Sequence, residues 1–304
     1  MVKFYKRVVD ALRRRIIALL FNLKNLWRLM SRRCIVINSW VDEHWIDGVR
    51  PRNFGDDINK YLIEELTGRF VIFDHTFSWN RLFGGNNFLC IGSILESHCN
   101  RHSVVWGSGA MYGDRALAEH PLQVCAVRGP LTRQYLLSQG VNCPEVYGDP
   151  ALLLPRIYSP ERKIKYRIGV IPHVLDADNE ILQRSLADQK NICVIDLENY
   201  DDWHHVVDQI VACEMVVSSS LHGIIVSDAY GVPNCWVEFS DRVQGAGFKF
   251  RDYYLSGGIE GVEPIRISED IDWGKLCALK EQWRKPNIDT EKLYCACPFM
   301  DHND

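Results

Sequence analysis

The chain has 304 residues, of which 47% are hydrophobic, so it is long enough for two domains of about 130 residues, each with its own core. The net charge of −4 is unevenly spread: residues 1–33 carry ten Lys and Arg against one Asp, a net +9, and the rest carries 25 basic and 38 acidic side chains, a net −13. The composition excludes a disordered chain, and the acidic body excludes non-specific nucleic-acid binding there.

Apolar residues of the amino-terminal segment recur at steps of three, four or seven: Phe4, Val8, Leu12, Leu19, Leu23, Leu26, Trp27 and Met30. Lys and Arg fill much of the remaining surface, and the pattern predicts an amphipathic basic helix over residues 1–33. Its apolar run is too short to span a bilayer, and residues 30–34 offer no signal-peptide cleavage site. We expect a helix that lies on the anionic inner face of the membrane; the alternative is a terminal helix packed on the body or on a partner.

Short apolar runs and helical stretches alternate after this segment. Strands are predicted at residues 34–38, 70–73, 87–92, 103–109 and 124–129, and helices at 57–66 and 130–139. Alternation of this kind predicts a parallel sheet flanked by helices, in a first domain over residues 34–155.

Prolines and charges mark residues 156–165 as a linker, after which the alternation resumes. The predicted second domain covers residues 166–265, and residues 266–304 are predicted to form a helical tail. The predicted fold is therefore α/β, with two doubly wound Rossmann-like domains and a cleft between them, as in glycosyltransferase-B folds. Ligands of such sheets bind in loops beyond the carboxyl ends of strands.

The first candidate site lies at the end of the strand predicted from residue 214. Ser218, Ser219 and Ser220 precede a predicted helix that begins with Leu221 and His222. Serine hydroxyls, helix N–H groups and a histidine suit an anion, and histidine can also donate a proton. Ordinary helix capping is the alternative, since serine is common before helices.

The second candidate is the segment Asn53-Phe-Gly-Asp-Asp-Ile-Asn59, before the predicted helix at 57–66. Asp56 and Asp57 can cap this helix, and one of them can act as a base for a sugar hydroxyl. Both interpretations stay open from the pattern alone.

Two further loops carry single charged residues. Arg128 ends a predicted strand, where its planar guanidinium suits a carboxylate or phosphate. Asp149, in a Tyr-Gly-Asp-Pro segment, either orients a ligand or fixes a turn. After the last predicted strand, Lys249 and Arg251 stand among glycines and aromatics, which predicts a flexible basic loop that closes over anions or simply lies at the surface.

The cysteines predict no metal site. There are eleven, an odd number, and several, such as Cys125, Cys193 and Cys213, stand in apolar runs as small buried residues. No spacing matches a zinc site, so we expect neither a structural metal nor a disulfide framework, in a reducing cytoplasmic compartment.

Seven segments resemble the polysaccharide pyruvyl transferase family in identity and order, from about residue 35 to 260: NFGDDIN, VVWGSG, AVRGPLTR, YGDPALLLP, GVIPHV, SSSLHGIIVSDAYGVPN and KFRDYY. The resemblance implies phosphoenolpyruvate as donor, a cyclic pyruvate ketal on a sugar as product, and functional roles for His222 and Arg128. With it we assign the acceptor to the first predicted domain, residues 34–155, and the donor to the second, residues 166–265. Many members have an arginine before Leu-His, where this chain has Ser220. Lys249 and Arg251 are the candidates to replace its charge.

The reaction implied by the resemblance assigns roles to the candidate residues. His222 is the predicted general acid, and Asp56 or Asp57 the base. Predicted substrate contacts come from Asn53, Arg128, Asp149, His173, Ser218, Ser219, Ser220, Lys249 and Arg251. No cofactor, metal or nucleotide is expected, and the acceptor is a sugar of a lipid-linked or polymeric bacterial-type surface polysaccharide.

Two other functions stay open at this stage. One is a glycosyltransferase of similar architecture that uses a nucleotide sugar. The other is a non-catalytic, membrane-bound assembly factor in which the basic helix is the working part.

Overall fold

The computed structural model describes residues 34–40, 53–74, 80, 83–187 and 189–300, together with eleven separate positions between residues 5 and 28. Within these residues the chain is an α/β protein with two five-stranded sheets. Every strand pair in both sheets is parallel, as the predicted fold class requires.

The first sheet has the strand order β2-β1-β3-β4-β5. Its strands are β1 (Cys34–Ile37), β2 (Phe70–Phe73), β3 (Asn87–Leu89), β4 (Ser103–Trp106) and β5 (Gln123–Ala126). Its helices are α1 (Phe54–Thr67), α2 (Leu95–His98) and α3 (Pro130–Ser138). Most strand residues are buried, because helices and loops cover both faces of a parallel sheet.

The second sheet has the order β10-β9-β8-β6-β7. Its strands are β6 (Tyr166–Ile171), β7 (Ile192–Val194), β8 (Cys213–Ser218), β9 (Asn234–Glu238) and β10 (Ile265–Arg266). The helices between them are α4 (Glu180–Leu186), α5 (Trp203–Val211), α6 (Leu221–Ala229) and α7 (Phe248–Ser256).

Both sheets share one topology. Numbered from its own first strand, each reads 2-1-3-4-5, so the direction of winding reverses between β1 and β3 in one sheet and between β6 and β8 in the other. Ligands of doubly wound sheets bind at such reversal points, beyond the carboxyl ends of the strands. The loops after these four strands are therefore where a site is expected.

The carboxyl-terminal tail packs first against the second sheet, through Trp273 and Leu276, and then against the first sheet. It contains α8 (Trp273–Ala278) and α9 (Thr290–Cys295). Trp106 Nε1 of β4 donates a hydrogen bond of 2.9 Å to the carbonyl of Leu293, and the ring of Phe299 lies 4.5 Å from that of Phe88. The tail thus returns to the first sheet after the second sheet is complete.

The boundaries between the predicted domains remain predictions. The strands of the two sheets fall inside residues 34–155 and 166–266, and a 3-10 helix, Pro150–Arg156, leads into the predicted linker. The sequence missed β10, which is only two residues long and carries too little pattern to be recognised.

Most of the predicted amino-terminal helix lies outside the described residues. The eleven described positions are helical, and their eight exposed side chains are all apolar or aromatic: Tyr5, Val9, Leu12, Ile16, Leu19, Leu20, Leu23 and Trp27. The amphipathic basic helix stays a prediction. Among the residues the structure describes, no helix combines the length and apolar character needed to cross a bilayer.

One predicted loop is a helix. Residues 248–256 form α7, and the interpretation of this segment as a flexible basic loop is wrong. The aromatic residues of this segment, among them Phe250 and Tyr253, are buried, and their burial stabilises the helix. Lys249 is buried with them.

Candidate active site

The loops at both reversal points line one cavity of about 400 Å³. The lining residues from these loops are Trp40 after β1, Gly92, Ser93 and Ile94 after β3, Pro172 and His173 after β6, and Ser220, Leu221 and His222 after β8. Asn53, Asp56 and Lys249 complete the part of the wall that carries predicted site residues. Residues far apart in the sequence are therefore brought to one place.

The three serines have different partners. Ser218 Oγ accepts the N–H of Ser220 at 3.0 Å, and Ser219 Oγ donates to Asp176 Oδ2 and accepts the N–H of His173, both at 2.8 Å. Ser220 is the N-cap of α6, but its hydroxyl makes no capping hydrogen bond. Ser218 and Ser219 thus hold the loop in shape, and Ser220 presents its side to the cavity.

His222 stands at the first turn of α6 with its side chain 18% exposed. Its Nε2 lies 4.0 Å from Asp149 Oδ2, and neither atom has a hydrogen-bond partner among the described residues. The other oxygen of Asp149 accepts the N–H of Ala151 at 2.9 Å, which caps the 3-10 helix. Asp149 therefore fixes a turn with one oxygen and faces the histidine with the other.

A glycine makes room for the histidine ring. A Cβ at Gly55, in the first turn of α1, would collide with the Nδ1 edge of the His222 imidazole. The glycine of the NFGDDIN segment therefore belongs to the packing of the site as well as to the start of the helix.

Charge and burial set the protonation of these groups. Burial, followed by the positive charges of Lys249 and Arg128, lowers the pKa of His222 to about 3. Burial lowers the pKa of His173 to about 4 and raises that of Asp149 to about 7. At neutral pH both imidazoles are therefore uncharged, and additional negative charge nearby would favour their protonation.

Among the described residues, Lys249 is the cation that lines the cavity. Its side chain is only 7% exposed, and among the described residues it has no hydrogen-bond or ion-pair partner. Burial, and after it the charge of Arg128, lowers the pKa of Lys249 to about 8. Arg251, the other predicted replacement for the arginine, is bound to Glu263 at 2.6 Å and to the carbonyl of Ala246 at 2.7 Å, and does not line the cavity.

The two predicted acids at the start of α1, Asp56 and Asp57, have different surroundings. The helix begins at Phe54, three residues earlier than predicted, and Asn53 is its cap, accepting the N–H of Gly55 at 3.1 Å. Capping by Asp56 or Asp57 is therefore wrong. Asp56 lines the cavity and accepts a hydrogen bond of 3.2 Å from Ser39 Oγ, whereas Asp57 accepts one of 2.5 Å from the hydroxyl of Tyr200.

Arg128 is completely buried behind the cavity wall. Its Nε donates to Asp252 Oδ2 at 3.0 Å, Nη2 donates to the carbonyl of Ala110 at 2.6 Å, and Nη1 donates to Ser93 Oγ. Thr132 donates to both oxygens of Asp252. Of these residues Ser93 lines the cavity, so contact between Arg128 and a donor remains a prediction.

Sequence reasoning missed three residues of this region. Asp252 was hidden because its partner Arg128 is 124 residues away, and Asp176, which holds Ser219, shows no pattern at all. Trp40, 57% exposed at the cavity, follows β1 directly. Its position beyond a strand end was the one available signal.

Comparison with known proteins identifies the family. A family model described as polysaccharide pyruvyl transferase matches residues 53–241, more than half of the chain. The chain belongs to the polysaccharide pyruvyl transferase family. The matched range begins at Asn53, the cap of α1, and ends before α7. Lys249 and Asp252 of this pyruvyl transferase therefore lie outside the residues that the family model matches.

Two relatives are similar to this chain over about two thirds of its length. Uncharacterized protein L143 of Acanthamoeba polyphaga mimivirus is 32% identical over 219 residues, which cover 70% of this chain and 73% of L143. Succinoglycan biosynthesis protein ExoV of Rhizobium meliloti (strain 1021) is 28% identical over 215 residues, which cover 68% of this chain and 62% of ExoV.

Proposed function

We propose that this pyruvyl transferase moves pyruvate from phosphoenolpyruvate to a sugar, forms a cyclic ketal across two hydroxyls and releases phosphate. The observation that carries the proposal is the pairing, in one cavity, of Lys249, a buried cation that has no ionic partner among the described residues, and His222, a histidine at a helix start. A donor with a carboxylate and a phosphate needs such a cation, and its methylene needs a proton.

The donor end of the cavity is formed by α6 and α7. Lys249 takes the place of the arginine that many family members have before Leu-His, and the first N–H groups of α6 add donors for the anion. Ser220 leaves space where the longer side chain would be, and its hydroxyl makes no capping hydrogen bond within the described residues. Binding of the donor's negative charge raises the basicity of His222, so the proton donor forms when the substrate is present.

The proton chemistry divides between a histidine and a carboxylate. His222 protonates the methylene carbon, which makes the enol carbon electrophilic, and a sugar hydroxyl adds to that carbon. Phosphate leaves with the electron pair of its C–O bond, and the second hydroxyl closes the ketal. Of the two hydroxyl protons, one balances the new methyl C–H bond and one leaves on phosphate, so the reaction as written needs no cofactor or metal.

Asp56 is favoured over Asp57 as the base. Asp56 lines the cavity, and Ser39 donates a hydrogen bond to it. Asp57 is turned to the hydroxyl of Tyr200 and is not part of the cavity wall. The carboxylate of Asp56 can accept the proton of an incoming hydroxyl without rearrangement of α1.

The acceptor side is marked by an aromatic residue. Trp40 is 57% exposed at the cavity, and its ring is held edge-on against His98 with 4.8 Å between centroids. A flat indole suits the C–H face of a sugar ring, and the neighbouring Ser39 is bound to Asp56. The printed name of ExoV, a succinoglycan biosynthesis protein, supports a polysaccharide acceptor.

A membrane location fits the same acceptor. The amino-terminal segment combines a net charge of +9 with exposed apolar side chains at every fourth or third position from Leu12 to Trp27 that the structure describes. Such a helix would hold the enzyme on the inner face of the membrane, where lipid-linked sugars are available. The proposed membrane location rests on the charge and apolar pattern of this segment and on its exposed apolar side chains, and not on a membrane-spanning helix.

The proposal is tested by phosphate release. Purified protein is mixed with phosphoenolpyruvate, with and without an oligosaccharide acceptor, and inorganic phosphate is measured over time. Release that needs both substrates is the expected result. If the protein consumes a nucleotide sugar and not phosphoenolpyruvate, the proposed function is wrong and the protein is a glycosyltransferase.

A further inference from the structure

We propose that Asp149 is the proton-holding partner of His222: in the donor-free enzyme one proton rests on Asp149 Oδ2, and an arriving anionic donor brings the two side chains into hydrogen-bond contact and moves the proton to His222 Nε2. The inference deepens the proposed function and rests on it for the identity of the donor. It gives Asp149 a positioning and proton-storing role instead of the substrate contact that the sequence suggested.

The geometry singles out this pair of atoms. Asp149 Oδ2 and His222 Nε2 are 4.0 Å apart, and both are buried without a hydrogen-bond partner among the described residues. Buried polar atoms are normally satisfied, and two that face each other indicate a hydrogen bond that forms in another state of the site. A shift of about 1 Å would close it, since such bonds span about 2.7–3.2 Å.

The surroundings decide where the proton rests. Lys249, Arg128 and His173 face His222, and all three disfavour an imidazolium. Asp149 faces Arg128, and it lies near Cys90 and Tyr253, whose own pKa values burial raises so that they stay uncharged. Burial outweighs the charge of Arg128 and keeps the pKa of Asp149, about 7, far above the pKa of His222, about 3.

The donor reverses this order. Its carboxylate and phosphate place negative charge beside Lys249 and His222, which favours the imidazolium more than the remoter carboxyl. The O–H bond of Asp149 breaks, and the proton bonds to Nε2 of His222, which leaves a carboxylate beside an imidazolium. The imidazolium then gives its Nδ1 proton to the methylene carbon, whose double-bond electrons form the new C–H bond.

Stability against pH provides a readout that does not depend on activity. Between about pH 4 and 6.5 the unfolded chain carries one proton on this pair, on His222, and the folded chain carries one, on Asp149, so the pair contributes no slope. In Asp149→Asn the unfolded chain still binds a proton on His222, but the folded chain binds none on this pair. The free energy of unfolding should therefore rise with pH through this window. His222→Asn leaves the raised pKa of Asp149, and stability falls from about pH 4 to 7.

A matched control is available in Asp228. Its carboxyl is also buried, with a pKa raised to about 6 by burial, but it is bonded to Asn234, Tyr253 and Trp283 and lies outside the cavity wall. Asp228→Asn removes a second buried carboxyl without touching the histidine.

Infrared difference spectroscopy of the full chain at about pH 6 tests the transfer, with phosphoenolpyruvate binding followed separately by calorimetry. The expected result is loss of a protonated-carboxyl band when phosphoenolpyruvate binds wild type or Asp228→Asn, and no such loss in Asp149→Asn. Binding without loss of the band, or the same loss in Asp149→Asn, overturns the proposal. If calorimetry detects no binding, the proposed donor is wrong, and the shared proton is then rejected or upheld by the stability slopes of Asp149→Asn and His222→Asn.

Discussion

Arg128 and Asp252 form an ion pair with 3.0 Å between Nε and Oδ2, and neither side chain is exposed. Arg128 follows β5 of the first sheet and Asp252 belongs to α7, after β9 of the second, so the pair joins the two halves of the chain. Gly129 allows the approach, because a Cβ there would collide with the backbone of Asp252. The pair fixes α7 and thereby the position of Lys249.

The first prediction concerns Arg128. Arg128→Ala should lower the free energy of unfolding by about 3–5 kcal/mol, because it leaves the carboxylate of Asp252 buried without its partner. Arg128→Lys should also be destabilised, since lysine lacks the fork that reaches Ser93 and Ala110. Urea denaturation and the KM values for donor and acceptor are measured together. A fully stable Arg128→Lys protein with a raised KM for the donor alone would instead make Arg128 a direct donor ligand.

The second prediction concerns the pH dependence of donor binding. Lys249 has a pKa of about 8 in the free enzyme, so the affinity for phosphoenolpyruvate should fall about tenfold per pH unit above it, as the ammonium loses its proton. Lys249→Arg should remove this part of the fall, because arginine stays protonated, and should leave only the weakening that follows loss of the Asp149 proton above about pH 7.

Arg251→Met is the control for this prediction. Arg251 is paired with Glu263 outside the cavity wall, so its loss should leave the pH profile unchanged. Calorimetric titrations from pH 7 to 9.5 supply the data. A Lys249→Met protein with the wild-type profile would remove Lys249 from the donor site.

The third prediction concerns the acceptor. Trp40→Ala should raise the KM for the sugar acceptor about tenfold and leave the KM for phosphoenolpyruvate within error, since loss of an aromatic contact is worth roughly 1 kcal/mol or more. Phe83, 81% exposed and not part of the cavity wall, supplies the matched control in Phe83→Ala. An equal effect of both variants, or an effect on the donor, would show that Trp40 is not an acceptor platform.

The fourth prediction concerns the amino-terminal segment. Full-length protein should sediment with anionic vesicles, less strongly at high salt and weakly with neutral vesicles, because each basic residue near the surface contributes about 1 kcal/mol that salt screens. Leu19→Glu with Leu23→Glu, both at exposed positions, should abolish the association while turnover of a water-soluble acceptor is kept. If the wild-type chain does not sediment with anionic vesicles, the helix does not bind membranes, and it packs on the body of the protein or on a partner.

The architecture was accessible from the sequence because it depends on local pattern. Nine of the ten described strands coincide with short apolar runs, and α3 begins at Pro130 as expected, since proline is preorganised for a first helical turn. The start of α1 was predicted too late because Asp56 and Asp57 are also preferred capping residues, whereas the side chain of Asn53 makes the capping hydrogen bond. Helix α7 was missed because its glycine-rich entry masks residues that are buried only in the assembled fold.

The site was predictable in its residues but not in its pairings. His222, Asp56 and Lys249 meet at one cavity, as the strand-end rule and the family motifs suggested. The contacts of Arg128 with Asp252 and of Asp149 with His222 span 124 and 73 positions of sequence, and no local pattern encodes them. Such contacts arise from the docking of two sheets, which a single sequence does not reveal.

Mass spectrometry of a lipid-linked glycan incubated with the enzyme and isotopically labelled phosphoenolpyruvate tests pyruvyl transfer most directly. The wild-type protein should add one labelled pyruvate ketal to the glycan for each phosphate released, and His222→Ala should do so ~100-fold more slowly while keeping its melting temperature, the scale expected for loss of a general acid. An unmodified glycan in the presence of a folded enzyme and bound phosphoenolpyruvate, or a folded His222→Ala protein with wild-type turnover, would contradict the mechanism.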